Sequence, residues 1–247
     1  RRVGMTLATL RSLLFYAGLA PLTVLFSLIG ITILPLPRKW RYAIITSWST
    51  LTIAWLKISC GLDWQLSGQE HIPERPGVIL CKHQSAWETI ALQLIFPRQC
   101  QVLKRELLLV PFFGWGLASL NPIAIDRSSG PKALKRILKL GRERIQDGWW
   151  VLLFPEGTRI PPGEKGRYTR TGAALALKAN TYVIPVAHNA GVFWARNALT
   201  KYSGTIQVIV GPPIDTHGKS TKIITREAEA WIESSCENLA TASMKTT

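Results

Sequence analysis

One histidine of the chain stands where an α/β fold delivers side chains to a cleft. His83 directly follows the apolar run Val78–Lys82 and precedes a segment of helical character, and α/β sheets bind ligands at the carboxyl ends of their strands. A histidine works as a base when an acceptor holds one ring nitrogen and leaves the other free. Glu88 lies five positions further on and could supply that acceptor across a tight turn.

The same glutamate has a second interpretation. Ser85 and Glu88 fit the S-x-x-E pattern of a helix capping box, in which the glutamate binds backbone amides at the start of a helix. His83 could also act without any partner. The cap and the His–Glu pair are compatible, because a helix that starts at Ser85 would hold Glu88 near His83. Spacing alone leaves these alternatives open.

A second polar segment follows the predicted strand Trp149–Phe154 and reads Pro-Glu-Gly-Thr-Arg. Gly157 allows the backbone to approach a ligand closely. The planar guanidinium of Arg159 suits phosphate oxygens, and Thr158 adds a donor. An ordinary strand exit with an exposed arginine would have the same sequence, so this segment indicates an anion site only together with others.

A third polar segment, Lys104-Arg105-Glu106-Leu107, follows the possible strand Gln101–Lys104. Taken alone it is typical of a solvated turn. Because the carboxyl ends of parallel strands meet at one edge of a sheet, we expect it to lie near His83. The three segments together predict a base beside two cationic points.

These segments occur in a fixed order with a fourth one, Val183–Val186 (Val-Ile-Pro-Val). In this order and at these separations they resemble the glycerolipid acyltransferase family, most closely its bacterial lysophosphatidic acid acyltransferases. The resemblance covers about residues 63–215. That family usually has Asp where this chain has Glu88, whose side chain is one methylene longer, so the pattern here is His-x4-Glu.

The resemblance implies transfer of an acyl chain from acyl-CoA or acyl-carrier protein to the sn-2 hydroxyl of 1-acyl-glycerol-3-phosphate, which forms phosphatidic acid. His83 would be the general base and Glu88 would orient its ring. The thioester would be attacked directly, and the chain has no GxSxG nucleophile elbow. The expected substrate-binding residues are Lys104, Arg105, Glu156, Gly157, Thr158 and Arg159.

The motifs leave one alternative within the same reaction class. A related acyltransferase that acts on another lysophospholipid or on glycerol-3-phosphate would carry similar segments. No cofactor beyond the acyl donor is expected. No metal is expected either, because no His, Cys or Asp cluster has ligand spacing. The four cysteines lack a CxxC pair, which is typical of reduced, mostly buried thiols.

The elements that must position these residues alternate along residues 61–247. Short apolar runs predict strands, and amphipathic segments between Pro and Gly predict helices. The alternation predicts an α/β domain with a mixed sheet flanked by helices. The predicted strands are 78–82, 101–104, 122–126, 149–154, 182–187 and 205–210, and the predicted helices are 85–96, 131–146, 171–180 and 223–239.

Residues 1–60 predict a helical membrane-anchoring element. Residues 12–37 carry no charge, and Leu13–Leu34 is long enough to cross a hydrocarbon core of about 30 Å. A shorter apolar stretch, Tyr42–Leu56, follows. One interpretation is a single span followed by an interfacial helix. A re-entrant hairpin is slightly favoured, because it places every basic flank at one anionic surface. The basic flanks are Arg1, Arg2, Arg11, Arg38, Lys39 and Arg41.

The charge balance agrees with an anionic environment. The chain has 30 Lys and Arg against 15 Asp and Glu, a formal net charge of +15, although only 18% of residues are charged. We expect anionic membrane lipids as partners and the cytoplasmic face of a bacterial inner membrane as the location. The basic helix 131–146 fits either a solvated face or contact with lipid headgroups. Nucleic acid is not expected, since no binding motif is visible, although a non-enzymatic nucleic-acid or membrane binder remains a remote alternative.

Overall fold

The computed structural model describes residues 2–244, and the side chains of residues 7–240. Arg1 and the side chain of Arg2, two of the predicted basic flanks, lie outside this description. Within it, two N-terminal helices lie against a seven-stranded sheet that has helices on both faces. This confirms the predicted fold class.

The sheet is mixed, with the strand order β1-β7-β6-β2-β5-β3-β4. All neighbouring strands run parallel except β6 and β7, which are antiparallel. The strand that precedes His83, β2, lies between β6 and β5 and is fully buried. The strands are β1 Leu62–Ser67, β2 Val78–Cys81, β3 Gln99–Lys104, β4 Ile123–Ile125, β5 Trp150–Leu153, β6 Val183–His188 and β7 Gly204–Val210.

The six predicted strands are present, and a seventh, β1, was not predicted. Its sequence, Leu-Asp-Trp-Gln-Leu-Ser, alternates apolar and polar residues. This pattern suits a strand that pairs with β7 alone at the edge of the sheet and is only partly buried. Strand β6 also extends one residue beyond the predicted end, to His188.

The helices form two layers. The hydrophobic core on one face of the sheet includes residues of α1, α2 and α3. The core on the other face includes residues of α5, α6 and α8, so the basic helix α5 and the N-terminal helices pack on different layers. The helices are α1 Arg2–Thr32, α2 Arg38–Cys60, α3 Trp87–Ile95, α4 Phe113–Ser119, α5 Pro131–Gln146, α6 Thr171–Lys178, α7 Ala190–Phe193 and α8 Thr221–Met244.

The first two helices form an antiparallel hairpin. Two indole N–H groups of α2 bind α1: Trp48 Nε1 donates to Thr23 Oγ1 over 3.2 Å, and Trp55 Nε1 donates to the carbonyl of Phe15 over 3.1 Å. At Gly18 the helices approach so closely that a Cβ would lie 2.3 Å from Trp55 Nε1. The glycine therefore lets the tryptophan pack against the backbone of α1.

The hairpin is docked along the α/β domain at both ends of α1. Near its start, Ser12 Oγ accepts a hydrogen bond from the Lys201 amide over 2.8 Å. Near its end, Gly30 packs against Ser119 of α4. Lys201 Nζ also lies 3.8 Å from the centre of the Tyr16 ring, and burial lowers the pKa of this lysine to about 8.

The outer face of α1 is apolar and exposed. Residues Leu7–Thr32 form a helix that is long and apolar enough to cross a membrane, and only 22% of its most apolar window is buried. A contiguous apolar surface of this kind is unusual for a soluble protein and typical of a membrane contact. Its exposed residues include Leu7, Leu10, Leu13, Leu14, Leu25, Leu28 and Ile31.

Candidate active site

The loop that follows β5 binds the backbone of His83 and packs against its ring. Its amide N–H donates to Glu156 Oε2 over 3.2 Å, and its carbonyl accepts from the Ile160 amide over 2.8 Å. Its ring stacks on Phe154, with the ring centres 4.0 Å apart. The ends of β2 and β5 therefore place the imidazole in one orientation, with 12% of the side chain exposed.

Glu88 serves both as a cap and as the partner of His83. Its Oε1 lies 2.8 Å from His83 Nδ1 and also accepts from the amides of Gln84, over 2.9 Å, and Ser85, over 2.8 Å. The helix itself begins at Trp87, two residues later than predicted, because Ser85 Oγ accepts from the Trp87 amide instead of continuing the helix. Glu88 therefore binds the amides before the helix and the His83 ring at the same time, so the two interpretations are compatible.

This arrangement sets the protonation state of the pair. Burial alone would raise the pKa of Glu88, but nearby His188, the hydrogen bond from His83 and the Ser85 amide together hold it below its usual value. An ionised carboxylate only accepts hydrogen bonds, so His83 Nδ1 must carry the proton. In the neutral ring the other nitrogen, Nε2, then has a lone pair that can take a proton from a substrate.

Beneath His83 lies a buried ion cluster centred on Lys82. Its ammonium donates to Glu156 Oε1 over 2.8 Å, to Glu233 Oε1 over 2.9 Å and to the carbonyl of Glu164 over 3.0 Å. Burial opposes the charge on Lys82, but the two carboxylates raise the pKa above its usual value. Tyr168 OH also donates to Glu233. The cluster joins β2, the loop after β5 and α8.

Within that cluster Glu156 faces inward. Besides Lys82 and the His83 amide, its carboxylate accepts from the Gly166 amide over 3.1 Å, and its side chain is fully buried. Three contacts with protein groups occupy the two oxygens, so the geometry gives Glu156 a part in holding His83. Its predicted contact with substrate stays a prediction.

A cavity of about 360 Å³ opens at His83. This lies within the range of about 300–1,000 Å³ that is usual for ligand pockets. Its walls are mostly apolar and come from α1, α2, α3 and α4. Apolar residues that line it include Leu19, Phe26, Ile45, Trp48, Ile90, Phe113 and Leu117.

Three cations line the same cavity: Lys104, Arg127 and Arg159. Arg159 is half-buried, and its Nε has no hydrogen-bond partner among the described side chains. Lys104 Nζ lies 3.8 Å from Glu106 Oε1, and both side chains are exposed. An apolar cavity with a base and cations at its polar part can hold a molecule with both a phosphate and a chain.

Three further predicted site residues lie differently. Arg105 pairs with Asp126 at 3.1 Å and is not among the cavity-lining residues, and Thr158 is exposed. Gly157 has φ +69°, which favours glycine, and its carbonyl accepts from the Arg127 guanidinium. The predicted roles of Arg105, Thr158 and Gly157 stay predictions.

Sequence reasoning missed Arg127, Lys82 and His188. Arg127 follows the predicted strand Pro122–Asp126, so the strand-end argument applied to the other cations could have found it. Lys82 was visible only as a neighbour of His83. His188 ends β6 and lies beside His83 through strand pairing between distant segments, which no local pattern reveals. The described residues hold no group of three or more His, Cys, Asp or Glu side chains that could bind a metal ion.

Comparison with known proteins gives one family. The family model described as Acyltransferase matches residues 63–189. The 1-acyl-sn-glycerol-3-phosphate acyltransferase of Pseudomonas aeruginosa is 46% identical over 232 residues, which cover 92% of this chain and 90% of that protein. The chloroplastic 1-acyl-sn-glycerol-3-phosphate acyltransferase of Arabidopsis thaliana is 25% identical over 82% of this chain, which spans only 56% of that longer protein.

A solved structure shares the fold. The crystal structure of the 1-acyl-sn-glycerophosphate acyltransferase of Thermotoga maritima superposes with a TM-score of 0.76. The match covers 94% of this chain and 95% of that one, at 22% sequence identity. The fold likeness therefore includes the N-terminal hairpin as well as the α/β domain.

The two functions of Glu88 can be separated by substitution. Glu88→Gln keeps an oxygen for the backbone amides but removes the charge that supports a protonated His83. We expect kcat for acyl transfer to fall about 100-fold or more, whereas Glu88→Asp, which keeps the carboxylate, should stay closer to the wild type. The measurement is steady-state kinetics on folded, detergent-purified variants. Full activity of the Gln variant would mean that Glu88 is only a helix cap.

Proposed function

The chain belongs to the acyltransferase family, and on that premise we propose that it transfers an acyl chain from a thioester to the sn-2 hydroxyl of 1-acyl-sn-glycerol-3-phosphate. The product is phosphatidic acid. The observation that carries the proposal is the His83–Glu88 pair beside an apolar cavity that three cations also line. The name of the Pseudomonas relative, 46% identical over nearly the whole length, supports the choice of acceptor.

In the reaction, His83 Nε2 removes the proton of the sn-2 hydroxyl while its oxygen attacks the thioester carbonyl carbon. The carbon–sulfur bond then breaks, and the departing thiolate accepts that proton from the His83 imidazolium. Glu88, held ionised by its amide donors, stabilises the imidazolium between these steps. General base catalysis of this kind contributes about 10²–10⁴-fold.

The cations recognise the phosphate of the acceptor. Arg159 is the best placed, because its half-buried guanidinium lacks a carboxylate partner in the described part of the chain. Arg127 binds the Gly157 carbonyl and lines the same cavity, so it joins the loop to the site. Lys104 adds a third positive charge. A dianionic phosphate would replace their missing counter-charges.

The apolar part of the cavity receives an acyl chain. Side chains from α1, α2 and α4 form much of its wall, so the hairpin would cover an acyl chain in the cavity. The donor is acyl-CoA or an acyl-carrier protein. Both carry negative charge, in agreement with the net charge of +15.

The proposed location is the cytoplasmic face of a bacterial inner membrane, and the exposed apolar face of α1 supports a membrane contact. Contacts with the α/β domain at Ser12 and Gly30, close to the two ends of the apolar segment, hold α1 beside that domain. This favours a hairpin lying in one leaflet over a free span. Exposed apolar residues between β3 and α4 and on the first turn of α4 extend this apolar surface to the cavity, and they include Leu107, Leu109, Val110, Phe112, Phe113 and Trp115.

The direct test is an assay of the purified protein with a panel of acceptors and both donors. We expect product with 1-acyl-sn-glycerol-3-phosphate and much less with lysophosphatidylcholine, lysophosphatidylethanolamine or glycerol-3-phosphate. His83→Ala, prepared in parallel and shown to be folded, should lose at least about 100-fold in kcat, because the base is gone. A preference for another acceptor would contradict the proposed substrate. An active His83→Ala variant would contradict the role of His83 as the base.

Arg159→Ala tests the phosphate site. Loss of a charged hydrogen-bond donor costs about 1.5–3 kcal/mol, which corresponds to a rise of about 10- to 150-fold in the KM for the acceptor. The KM for the donor should change little. Arg142→Ala, on the exposed face of α5 in the other helical layer, is the matched control and should leave both constants unchanged. An unaltered acceptor KM in Arg159→Ala would place the phosphate elsewhere.

Leu117→Trp tests the acyl cavity. Leu117 lines the cavity, whereas its neighbour Ala118 on the same helix is exposed. The larger ring should fill the space used by a long chain and lower the ratio of palmitoyl to decanoyl transfer by about tenfold or more. Ala118→Trp should leave the ratio near the wild-type value. Equal ratios in all three proteins would show that the acyl chain does not enter this cavity.

A further inference from the structure

A second histidine lies next to the His83–Glu88 pair. His188 is the last residue of β6, which pairs in parallel with β2, so the carboxyl ends of the two strands deliver the two histidines side by side. The His188 side chain is fully buried. The proposed chemistry gives it no role.

Both ring nitrogens of His188 bind backbone groups. Nδ1 accepts from the Ala190 amide over 3.1 Å, so it carries no proton. Nε2 must then be protonated, and it donates to the carbonyl of Lys82 over 2.8 Å. The ring therefore connects the end of β6 to the residue directly before His83.

The same ring nitrogen also lies near the second oxygen of Glu88. The distance from His188 Nε2 to Glu88 Oε2 is 3.9 Å, too long for a hydrogen bond but short for an electrostatic contact. Glu88 Oε2 is buried and has no hydrogen-bond partner among the described side chains. A buried carboxylate oxygen needs a compensating positive potential, and the Nε2–H dipole provides one.

His188 supports the pair only while it is neutral. Among the described residues, the titratable groups that face it are Glu88 of α3, Lys82 and His83 after β2, and Cys236 of α8, whose thiol donates to the His188 carbonyl. Burial lowers the pKa of His188 even though the Glu88 carboxylate opposes this. A charged His188 would compete with His83 for the single carboxylate.

We propose that His188 is a positioning residue for acyl transfer: it fixes the Lys82 carbonyl and, through its Nε2–H, tempers the charge of Glu88 and so the basicity of His83. This deepens the proposed function and rests on it. Leu or Val would also fill the space at the end of β6. Neither could bind the Lys82 carbonyl and the Ala190 amide at once, and neither would present a dipole to Glu88.

Two substitutions separate the two nitrogens. In His188→Asn the amide occupies the position of Nδ1, so it can still bind the Ala190 amide but cannot reach Lys82. In His188→Gln the terminal amide nitrogen occupies the position of Nε2 and keeps that donor. Both replacements are smaller than the buried ring, so folding of each variant is checked by circular dichroism and thermal unfolding before kinetics are compared. His217→Asn, the same change at an exposed histidine, is the control.

We expect His188→Asn to lower kcat about 10- to 100-fold, the range seen when outer partners of metal-bound histidines are removed, with KM for both substrates nearly unchanged. Glu88 then loses the dipole that tempers it and binds the His83 imidazolium more tightly. The acid limb of the kcat/KM profile should therefore move to higher pH, by about half a unit or more. His188→Gln should restore most of kcat and return the limb towards its wild-type position.

An unmoved acid limb in His188→Asn, whatever happens to kcat, would overturn the proposal and leave His188 a packing residue. A shift to lower pH would overturn it as well. A second readout separates this from a failure of the proposed function. The pH dependence of His83 modification by diethyl pyrocarbonate, followed by peptide mass spectrometry, reports the same basicity without turnover. If the wild type fails to acylate 1-acyl-sn-glycerol-3-phosphate, the modification profile alone tests the role of His188. A shift of the profile to higher pH in His188→Asn supports that role, and no shift or a shift to lower pH overturns it.

Discussion

A carboxylate that is ionised and shielded from water is the constraint on which the rest of the site depends. The Glu88 side chain has no exposed surface, and a buried charge is costly unless nearby groups compensate it. Here His83, two backbone amides and the dipole of His188 compensate it. Those groups come from the ends of β2 and β6 and the start of α3, so the strand order of the sheet is what makes the charge tolerable.

The buried cluster of Lys82 extends this arrangement to the loop that carries Arg159. The carboxylate of Glu156 accepts hydrogen bonds from the Lys82 ammonium and the His83 amide. The Ile160 amide donates to the His83 carbonyl. The loop that carries Arg159 is therefore joined by hydrogen bonds to His83, the proposed base.

The sequence predicted those parts of the site that lie close together along the chain. His83 and Glu88 form one turn, and the cationic segments follow their strands directly. Glu156 belongs to a predicted segment, but the direction of its side chain depends on Lys82, more than 70 residues away, and no local pattern contains that contact. His188 was missed for the same reason. The edge strand β1 was missed because partial burial gives it no continuous apolar run.

The central claim is that Glu88 holds His83 with its proton on Nδ1 and leaves Nε2 free. The chain has only four histidines, so ¹⁵N-histidine labelling in detergent micelles gives a spectrum that single His→Gln variants can assign. For the neutral His83 ring the account predicts a protonated Nδ1 and an unprotonated Nε2. A neutral ring with its proton on Nε2 would contradict it.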